Sequence, residues 1–255
     1  MTRAELDAVA SHLKTAERVL FVTGAGLSAD SGLPTYRGVG GMYDDADTPE
    51  GVPIEAVLSG GMFGRDPALV WKHILQIERA CRGARPNRGH EVMAALQERA
   101  EVVVLTQNVD GLHRAAGQRD VIEIHGRVSA LMCTSCDHRE TVEDYSELTF
   151  ERGVPRCAVC TGVRRPEVVL FDELLPEVAL ARLQQELARG FDVVLSVGTS
   201  SGFPYIAAPV ALQVQAQRPA VEINPGETDI SQLVTHRLVG RAAVMLDELW
   251  QRCSG

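Results

Sequence analysis

Four of the six cysteines form two Cys-x2-Cys pairs, Cys133 with Cys136 and Cys157 with Cys160. The 20 residues between the pairs give the spacing of a two-knuckle zinc ribbon. Four thiolates close a tetrahedral site and leave no position for water or substrate, so we expect the zinc to be structural. Two disulfides or four buried thiols are the less favoured alternatives, because the chain looks cytosolic and its second pair lies in a turn-rich segment.

A glycine loop, Gly24-x-Gly26-x-x-Ala29, follows a short apolar run at residues 18–22. Small residues at these positions let the backbone approach a pyrophosphate closely, at a point where helix N–H groups face the anion. A plain glycine turn is the simpler reading of such a short pattern. The acidic residue that a dehydrogenase carries at the end of a second strand, about 20 residues on, is missing. The loop therefore predicts a dinucleotide site and argues against a standard dehydrogenase.

Polar side chains follow two further strand-like runs. Residues 106–113 read Thr-Gln-Asn-Val-Asp-Gly-Leu-His, and His125 ends the next run. Ligands of open α/β sheets bind beyond the carboxyl ends of strands, so these groups can converge with the glycine loop. Histidine is also the side chain best able to exchange a proton near neutral pH. A helix cap at residues 108–111 and a purely structural His125 are the alternatives.

The elements that must position these groups come from five apolar runs of strand length, at residues 18–22, 102–105, 121–124, 193–197 and 220–223. Unalternating runs predict strands buried on both faces. Helices are predicted behind the Thr2-x-x-Glu5 capping box, from Asp66-Pro67 to about Ala80, from Asn87 to about Arg99, and from Pro176 to Gly190. The alternation predicts an α/β fold with a parallel, doubly wound sheet, interrupted by insertions at residues 38–64 and 127–165.

Composition excludes several classes of function. The net charge is −9, with 25 Lys and Arg against 34 Asp and Glu, and no cluster of basic residues suggests a nucleic-acid surface. No run approaches the roughly 20 apolar residues of a membrane span. The first 20 residues are charged and helical in pattern, without the apolar core of a secretory signal, so we expect a cytoplasmic protein.

Together these segments resemble the sirtuin family. The resemblance rests on residues 24–37, residues 106–113, His125-Gly126 and the two cysteine pairs. It continues, in the family's order, with residues 165–171, Gly198-Thr199-Ser200 and Glu222-Ile223-Asn224, and it covers the chain from about residue 18 to 240.

The resemblance implies a Rossmann-like doubly wound parallel sheet with a smaller domain made of a zinc ribbon and a helical part. NAD and an acyl-lysine protein or peptide would meet in the cleft between them. We expect the NAD-binding domain to comprise residues 1–36, 101–126 and 172–250, the cofactor loop and helical part residues 37–100, and the zinc-ribbon part with the substrate strand residues 127–171. We expect no direct contact with nucleic acid or membrane, and a monomer.

The implied reaction consumes NAD: the acyl oxygen attacks the nicotinamide ribose, nicotinamide leaves, and the acyl group ends on ADP-ribose. His125 matches the family's general base, and Asn108 and Asp110 match residues around the nicotinamide ribose and carboxamide. The expected cofactor-binding residues are Gly24, Ala25, Gly26, Ser28, Tyr36, Arg37, Gln107, Asn108, Asp110, Gly198, Thr199, Ser200 and Asn224. The expected substrate-binding residues are His125, Val168, Val169, Leu170 and Phe171. A mobile segment at residues 32–50 is expected to cover the site.

Three departures from the family pattern bear on the substrate. Asp172 stands where the family usually has glycine, and it is expected either to favour basic residues near the acyl-lysine or to point into water. Residues 201–205 depart from the usual Val-x-Pro continuation, which bears on the adenine-side contacts. The Tyr-x-x-Arg pair of relatives that prefer acidic acyl groups is absent, with Ile74 and Ile77 near its place. Burying an unpaired carboxylate costs several kcal/mol, so neutral acyl groups, acetyl first, are expected.

The leading hypothesis is therefore an NAD-dependent protein-lysine deacylase that releases nicotinamide and O-acyl-ADP-ribose. An ADP-ribosyltransferase or an NAD hydrolase could use the same cleft. A zinc-ribbon module that binds nucleic acid or protein is the alternative from another class, and the acidic balance counts against it.

Overall fold

The apolar runs become strands, and the helical patterns between them become helices, in the computed structural model of the chain, which describes residues 3–35 and 48–254. In chain order the elements are α1 (Arg3–Thr15), β1 (Arg18–Thr23), α2 (Ala25–Ser28), α3 (Ile54–Val57), α4 (Gly60–Arg65), α5 (Pro67–Cys81), α6 (Arg88–Leu96), β2 (Glu101–Thr106), α7 (Leu112–Ala115), β3 (Asp120–Glu123), β4 (Gly126–Cys133), β5 (Arg139–Thr141), β6 (Phe150–Glu151), β7 (Val154–Pro155), β8 (Arg164–Val168), α8 (Glu177–Arg189), β9 (Val193–Val197), α9 (Pro204–Gln215), β10 (Ala220–Ile223), β11 (His236–Leu238) and α10 (Ala242–Ser254).

Six parallel strands form the main sheet in the order β3-β2-β1-β9-β10-β11. This is the strand order of a doubly wound Rossmann-type sheet, so the predicted fold class is confirmed. The sixth strand, β11, lies at the edge of the sheet. It escaped the sequence pattern because it is three residues long and begins with His236 and Arg237.

Helices cover both faces of this sheet. Along β1, Val19 and Phe21 face a core shared with α1, α6 and α10, whereas Leu20 and Val22 face a second core with α8 and α9. Burial on both sides explains why β1 lacks polar alternation. Within residues 3–35 and 48–254, no helix is long and apolar enough to cross a membrane.

The predicted helix starts follow from their caps. Asp66 Oδ1 accepts from Leu69 N at 3.0 Å before α5, and Asn87 Oδ1 accepts from Gly89 N at 2.9 Å before α6. Helix α6 ends at Leu96 and not near Arg99, because residues 97–99 tighten into a turn that leads directly into β2. Helix α6 packs in the core of the main sheet, although the expected boundary at residue 100 groups it with the helical part.

The second body combines α5 with the described residues of the two predicted insertions around one core. Strands β5, β4 and β8 form an antiparallel sheet, β6 and β7 form a hairpin, and α3, α4 and α5 pack against them. Trp71 lies at the centre, fully buried, and its indole Nε1 donates to Arg164 O at 2.8 Å. Tyr145 and Phe150 meet its ring edge-on, each with centroids 5.5 Å away. One core thus joins the helical part to the thiol-bearing sheet.

Candidate active site

The strand order of the main sheet reverses between β1 and β9, and the glycine loop lies at this switch point. Gly26 N donates to Gly198 O at 2.8 Å. A Cβ on Gly26 would lie 2.8 Å from Gly198 Cα, and Gly198 itself has a positive φ of 60°. The two backbones therefore pass so closely that side chains are excluded, at the place where doubly wound sheets bind ligands.

A polar network joins the glycine loop to the segment after β2. Ser28 Oγ donates to Asp110 Oδ2 at 2.7 Å, and Asn108 Nδ2 donates to Ser28 Oγ and to Gly24 O, both at 2.9 Å. Leu112 N donates to the other oxygen of Asp110 at 2.9 Å. Burial raises the pKa of Asp110, against the opposing effect of these donors. The network holds a carboxylate and an amide side chain beside the glycine loop.

Gln107 connects His125 to the opposite side of the site. Its side-chain Nε2 donates to Thr199 Oγ1 at 2.7 Å, and its backbone carbonyl lies 3.1 Å from His125 Nδ1. A carbonyl only accepts, so Nδ1 carries the proton and Nε2 keeps the lone pair of the neutral imidazole. Burial lowers the pKa of His125, which maintains this neutral form near pH 7. His125 therefore has the protonation state of a general base, with Nε2 as its basic atom.

The loop after β9 is supported by the end of β10. Asn224 Nδ2 donates to Thr199 O at 3.1 Å, and Gly198 N donates to Ile223 O at 2.9 Å. Ser200 is exposed beside them, and its carbonyl accepts from Asp229 N at 3.3 Å. The structure brings together the expected residues of three strand ends, from β1, β2 and β9. Tyr36 and Arg37 lie outside the described residues, as does most of the expected covering segment at residues 32–50.

The expected substrate segment runs from His125 to the second body. Strand β8 ends at Val168, after which Val169 N donates to His125 O at 3.0 Å. Phe171 N then donates to Leu58 O at 2.8 Å, and Phe171 O accepts from Gly60 N at 3.0 Å. The side chain of Leu170 is buried in the core of the second body. This segment therefore bridges His125 and the helical part, with Leu170 as its buried anchor.

The four cysteines of the two pairs converge at the far end of β4. Their Sγ atoms all lie within 4.8 Å of one another, with Cys133 and Cys160 3.4 Å apart and Cys136 and Cys157 3.8 Å apart. Zinc–sulfur bonds of 2.3 Å in a tetrahedron place sulfurs about 3.8 Å apart, whereas a disulfide requires about 2.05 Å. Ser135 N and Val159 N donate to Cys133 Sγ and Cys157 Sγ at 3.3 and 3.4 Å, which favours thiolates. The thiols fit structural zinc and not disulfides.

The thiol cluster is remote from His125. Strand β4 runs from Gly126 to Cys133, and at about 3.3 Å per residue it separates the cluster from His125 by roughly 20 Å. A metal there can stabilise β4 and β8 but cannot touch the reacting atoms.

The family model described as the Sir2 family matches residues 24–203, which include the glycine loop, His125, all four paired cysteines and the loop after β9. The chain belongs to the Sir2 family. The sirtuin resemblance of the sequence is thereby confirmed.

Relatives and solved structures of the Sir2 family align over nearly the whole chain. The chain is 50% identical over 251 residues to NAD-dependent protein deacylase 2 of Pseudomonas aeruginosa, with 97% of each chain covered. It is 38% identical to an NAD-dependent protein deacylase of Pyrococcus furiosus over 248 residues, 96% of each. The structure matches that of a Sir2 homologue in complex with NAD at a TM-score of 0.86, with 31% identity and coverage of 97% of this chain and 93% of that one.

Asp172, which stands where the family usually has glycine, bonds to the start of α4. Its carboxylate caps this helix, accepting from Gly60 N at 2.9 Å and from Gly61 N at 3.2 Å. Its φ is +67°, a left-handed conformation that aspartate tolerates better than most residues. Both oxygens have protein partners while the residue stays exposed, so the influence of Asp172 on the peptide stays a prediction.

Two further residues of the site were not assigned from the sequence. Glu173, beside Asp172, receives two hydrogen bonds from Arg165, at 2.5 and 2.9 Å, and one from Leu170 N at 2.9 Å. Tyr205 places its hydroxyl 2.7 Å from His125 Nε2. The sequence Phe203-Pro204-Tyr205 could have indicated Tyr205, because a proline at the first position of a helix is common. Pro204 opens α9 and so puts Tyr205 in the first helical turn, at the edge of the site.

Proposed function

We propose that this chain is an NAD-dependent protein-lysine deacylase that produces nicotinamide and O-acyl-ADP-ribose. The observation that supports this most directly is the position of His125. Its Nδ1 is tied to Gln107 in the segment that meets the glycine loop, and its carbonyl is tied to Val169 in the substrate segment. A base between a dinucleotide edge and a peptide segment suits a reaction in which the two substrates exchange a group.

The residues proposed to hold NAD surround the switch point. Bound NAD supplies the ribose that accepts the acyl group once nicotinamide has left. The close backbone contact between the glycine loop and Gly198 favours a phosphate path there. The full proposed set is Gly24, Ala25, Gly26, Ser28, Tyr36, Arg37, Gln107, Asn108, Asp110, Gly198, Thr199, Ser200 and Asn224.

In the proposed mechanism His125 Nε2 takes a proton from a ribose hydroxyl. The neutral imidazole that burial favours is the form able to do so, and Nδ1–H remains on Gln107 O throughout. Asn108 and Asp110 are proposed to orient the ribose and carboxamide, because their mutual network through Ser28 fixes both side chains. Val168, Val169 and Phe171 are proposed to align the acyl-lysine peptide.

The acyl group is proposed to be neutral, with acetyl favoured. Helix α5, whose sequence contains no tyrosine, presents Ile74 to an apolar core that also contains Ile77 and Val109 at its margin. A carboxylate buried there without a partner would cost several kcal/mol. We further propose that the enzyme is a cytoplasmic monomer without nucleic-acid or membrane contacts. Reduced thiols holding zinc suit a reducing compartment.

Incubation with NAD and an acetyl-lysine peptide tests the function. We expect nicotinamide release that depends on the peptide and matches the amount of deacetylated product. The variant His125→Ala is expected to lose at least about 100-fold in kcat, the usual contribution of a general base. His12→Ala, in α1, serves as the control for a histidine change outside the site.

Two outcomes decide against the proposal. Equal nicotinamide release with and without peptide would assign the cleft to NAD hydrolysis or ADP-ribosyl transfer. Full deacetylation by His125→Ala would remove the assigned base.

A further inference from the structure

The basic atom of His125 is already engaged by Tyr205. His125 Nε2 and the Tyr205 hydroxyl lie 2.7 Å apart. Phe203 stacks on Tyr205, with centroids 5.4 Å apart and planes at 15°, and meets the imidazole edge-on at 6.0 Å. The three rings form one cluster at the start of α9, within the segment that departs from the family pattern.

The direction of the hydrogen bond follows from the other side of the ring. Because Nδ1 must donate to Gln107 O, Nε2 of the neutral imidazole accepts, and the phenol donates. Burial raises the pKa of Tyr205, so its hydroxyl keeps its proton at neutral pH. The phenol therefore occupies the lone pair that the base must use.

We propose that Tyr205 is a positioning residue that caps His125 Nε2 in the free enzyme, holds the imidazole in its working orientation, and yields Nε2 to the ribose hydroxyl when substrates bind. The proposal rests on the proposed function, because it takes His125 as the base. A hydrogen bond donated to the neutral ring stabilises that form over the imidazolium. The cap therefore keeps His125 unprotonated at lower pH than burial alone would.

Within residues 3–35 and 48–254, the charged groups on the elements around His125 are left in place by Tyr205→Phe. Asp110 lies in the segment after β2, and Glu123, at the end of β3, is paired with Arg114 and Arg127. The segment that bonds to the His125 carbonyl is apolar from Val168 through Phe171. A comparison of variants at α9 thus isolates the phenol.

The test is the pH dependence of kcat/KM for NAD at a saturating concentration of the acetyl-lysine peptide, which reports on the enzyme before the ribose reaches His125, in wild type, Tyr205→Phe and Phe203→Leu. In Tyr205→Phe the aromatic packing stays but the donor is lost. We expect its acidic limb to move upward by about half to one pH unit, which corresponds to one neutral hydrogen bond. Phe203→Leu changes the packing around the imidazole but keeps the donor, so a larger movement of the limb in Tyr205→Phe than in Phe203→Leu assigns the difference to the phenol.

An NMR titration of the His125 ring provides a readout independent of turnover, with His125→Ala identifying its signals. The His125 pKa should rise in Tyr205→Phe by the same amount as the kinetic limb. Coincident limbs and titration curves for Tyr205→Phe and wild type would overturn the proposal, while an inactive His125→Ala would still support the proposed function. An active His125→Ala would instead overturn the function itself.

Discussion

The carboxyl edge of the main sheet and the thiol end of the second body are built in different ways. At the sheet edge, strands buried on both faces deliver the site residues, and Ser28, Asn108, Asp110 and Gln107 then bond to one another or to neighbouring loops. At the thiol end, strands β6 and β7 have two residues each, and the two Cys-x2-Cys pairs meet through their four sulfur atoms. The first region is organised by its core alone, whereas the second adds to its core four sulfurs placed to hold a metal.

The two tryptophans allow this difference to be measured. Trp71 lies in the core of the second body and bonds to Arg164, whose register partner in β4 is Cys133. Trp250 packs at the margin of the main-sheet core. The variants Trp250→Phe and Trp71→Phe therefore report on one region each.

The largest expected effect is that of removing the metal. Structural zinc contributes on the order of 10 kcal/mol to the folding of small zinc domains, so a strong chelator should unfold the thiol end first. After chelation, the fluorescence of Trp71, measured in Trp250→Phe, should change. The fluorescence of Trp250, measured in Trp71→Phe, should stay that of the native protein. Deacetylation should be lost as well, because β4 and β8 anchor the substrate segment beside His125.

The variant Cys133→Ser should reproduce this loss without a chelator, and Cys81→Ser, outside the cluster, should not. Simultaneous unfolding of both tryptophan environments would break the comparison, since it would show that the main sheet depends on the metal too.

Low pH is expected to have the next largest effect, and it lowers the stability of the main-sheet region. His90 in α6 and His113 in α7 are buried with ring centroids 4.9 Å apart, and burial lowers their pKa values to about 4 and about 3. Both stay neutral in the folded state but titrate near 6.5 when unfolded. Their contribution is complete above pH 6.5 and is lost as the pH falls toward 4 and 3.

Each histidine should steepen the fall in unfolding free energy by up to about 1.4 kcal/mol per pH unit within that window. Urea denaturation of Trp71→Phe between pH 7 and 4.5, followed through Trp250, measures the slope. His90→Gln should reduce it relative to wild type. A flat profile down to pH 4.5 would show that these rings reach water.

The two regions also differ in how far the sequence predicted them. The main strands, the glycine loop and the cysteine pairs were predictable because each is a local pattern whose physical cause lies within a few residues. Strand β11 was missed because three residues beginning with His236 and Arg237 show no apolar run. The His125–Tyr205 and Gly60–Asp172 bonds join residues 80 and 112 positions apart, which no local pattern encodes.

Asp172 bonds to α4 directly after the substrate segment, and its substitution is expected to have the smallest effect. Three variants separate its backbone strain from its hydrogen bonds. Asp172→Ala loses both bonds to Gly60 N and Gly61 N and keeps a Cβ at φ +67°, so it should lose about 2–3 kcal/mol of stability. Asp172→Gly also loses the bonds but relieves the left-handed strain, so about 1 kcal/mol should be lost. Asp172→Asn keeps one acceptor and tolerates the conformation, so it should lie nearest to wild type.

Kinetics with the acetyl-lysine peptide show whether Asp172 also affects peptide binding. Phe171 bonds to Leu58 and Gly60 beside the Asp172 carboxylate. Loss of the Asp172 bonds should therefore raise the peptide KM several-fold and leave kcat near wild type, with the largest rise in Asp172→Ala, then Asp172→Gly, then Asp172→Asn. Equal KM values across the series, despite graded stability, would confine Asp172 to folding. A fall in kcat alone would instead mean that the second body sets the position of His125, and that the two regions are less independent than their construction indicates.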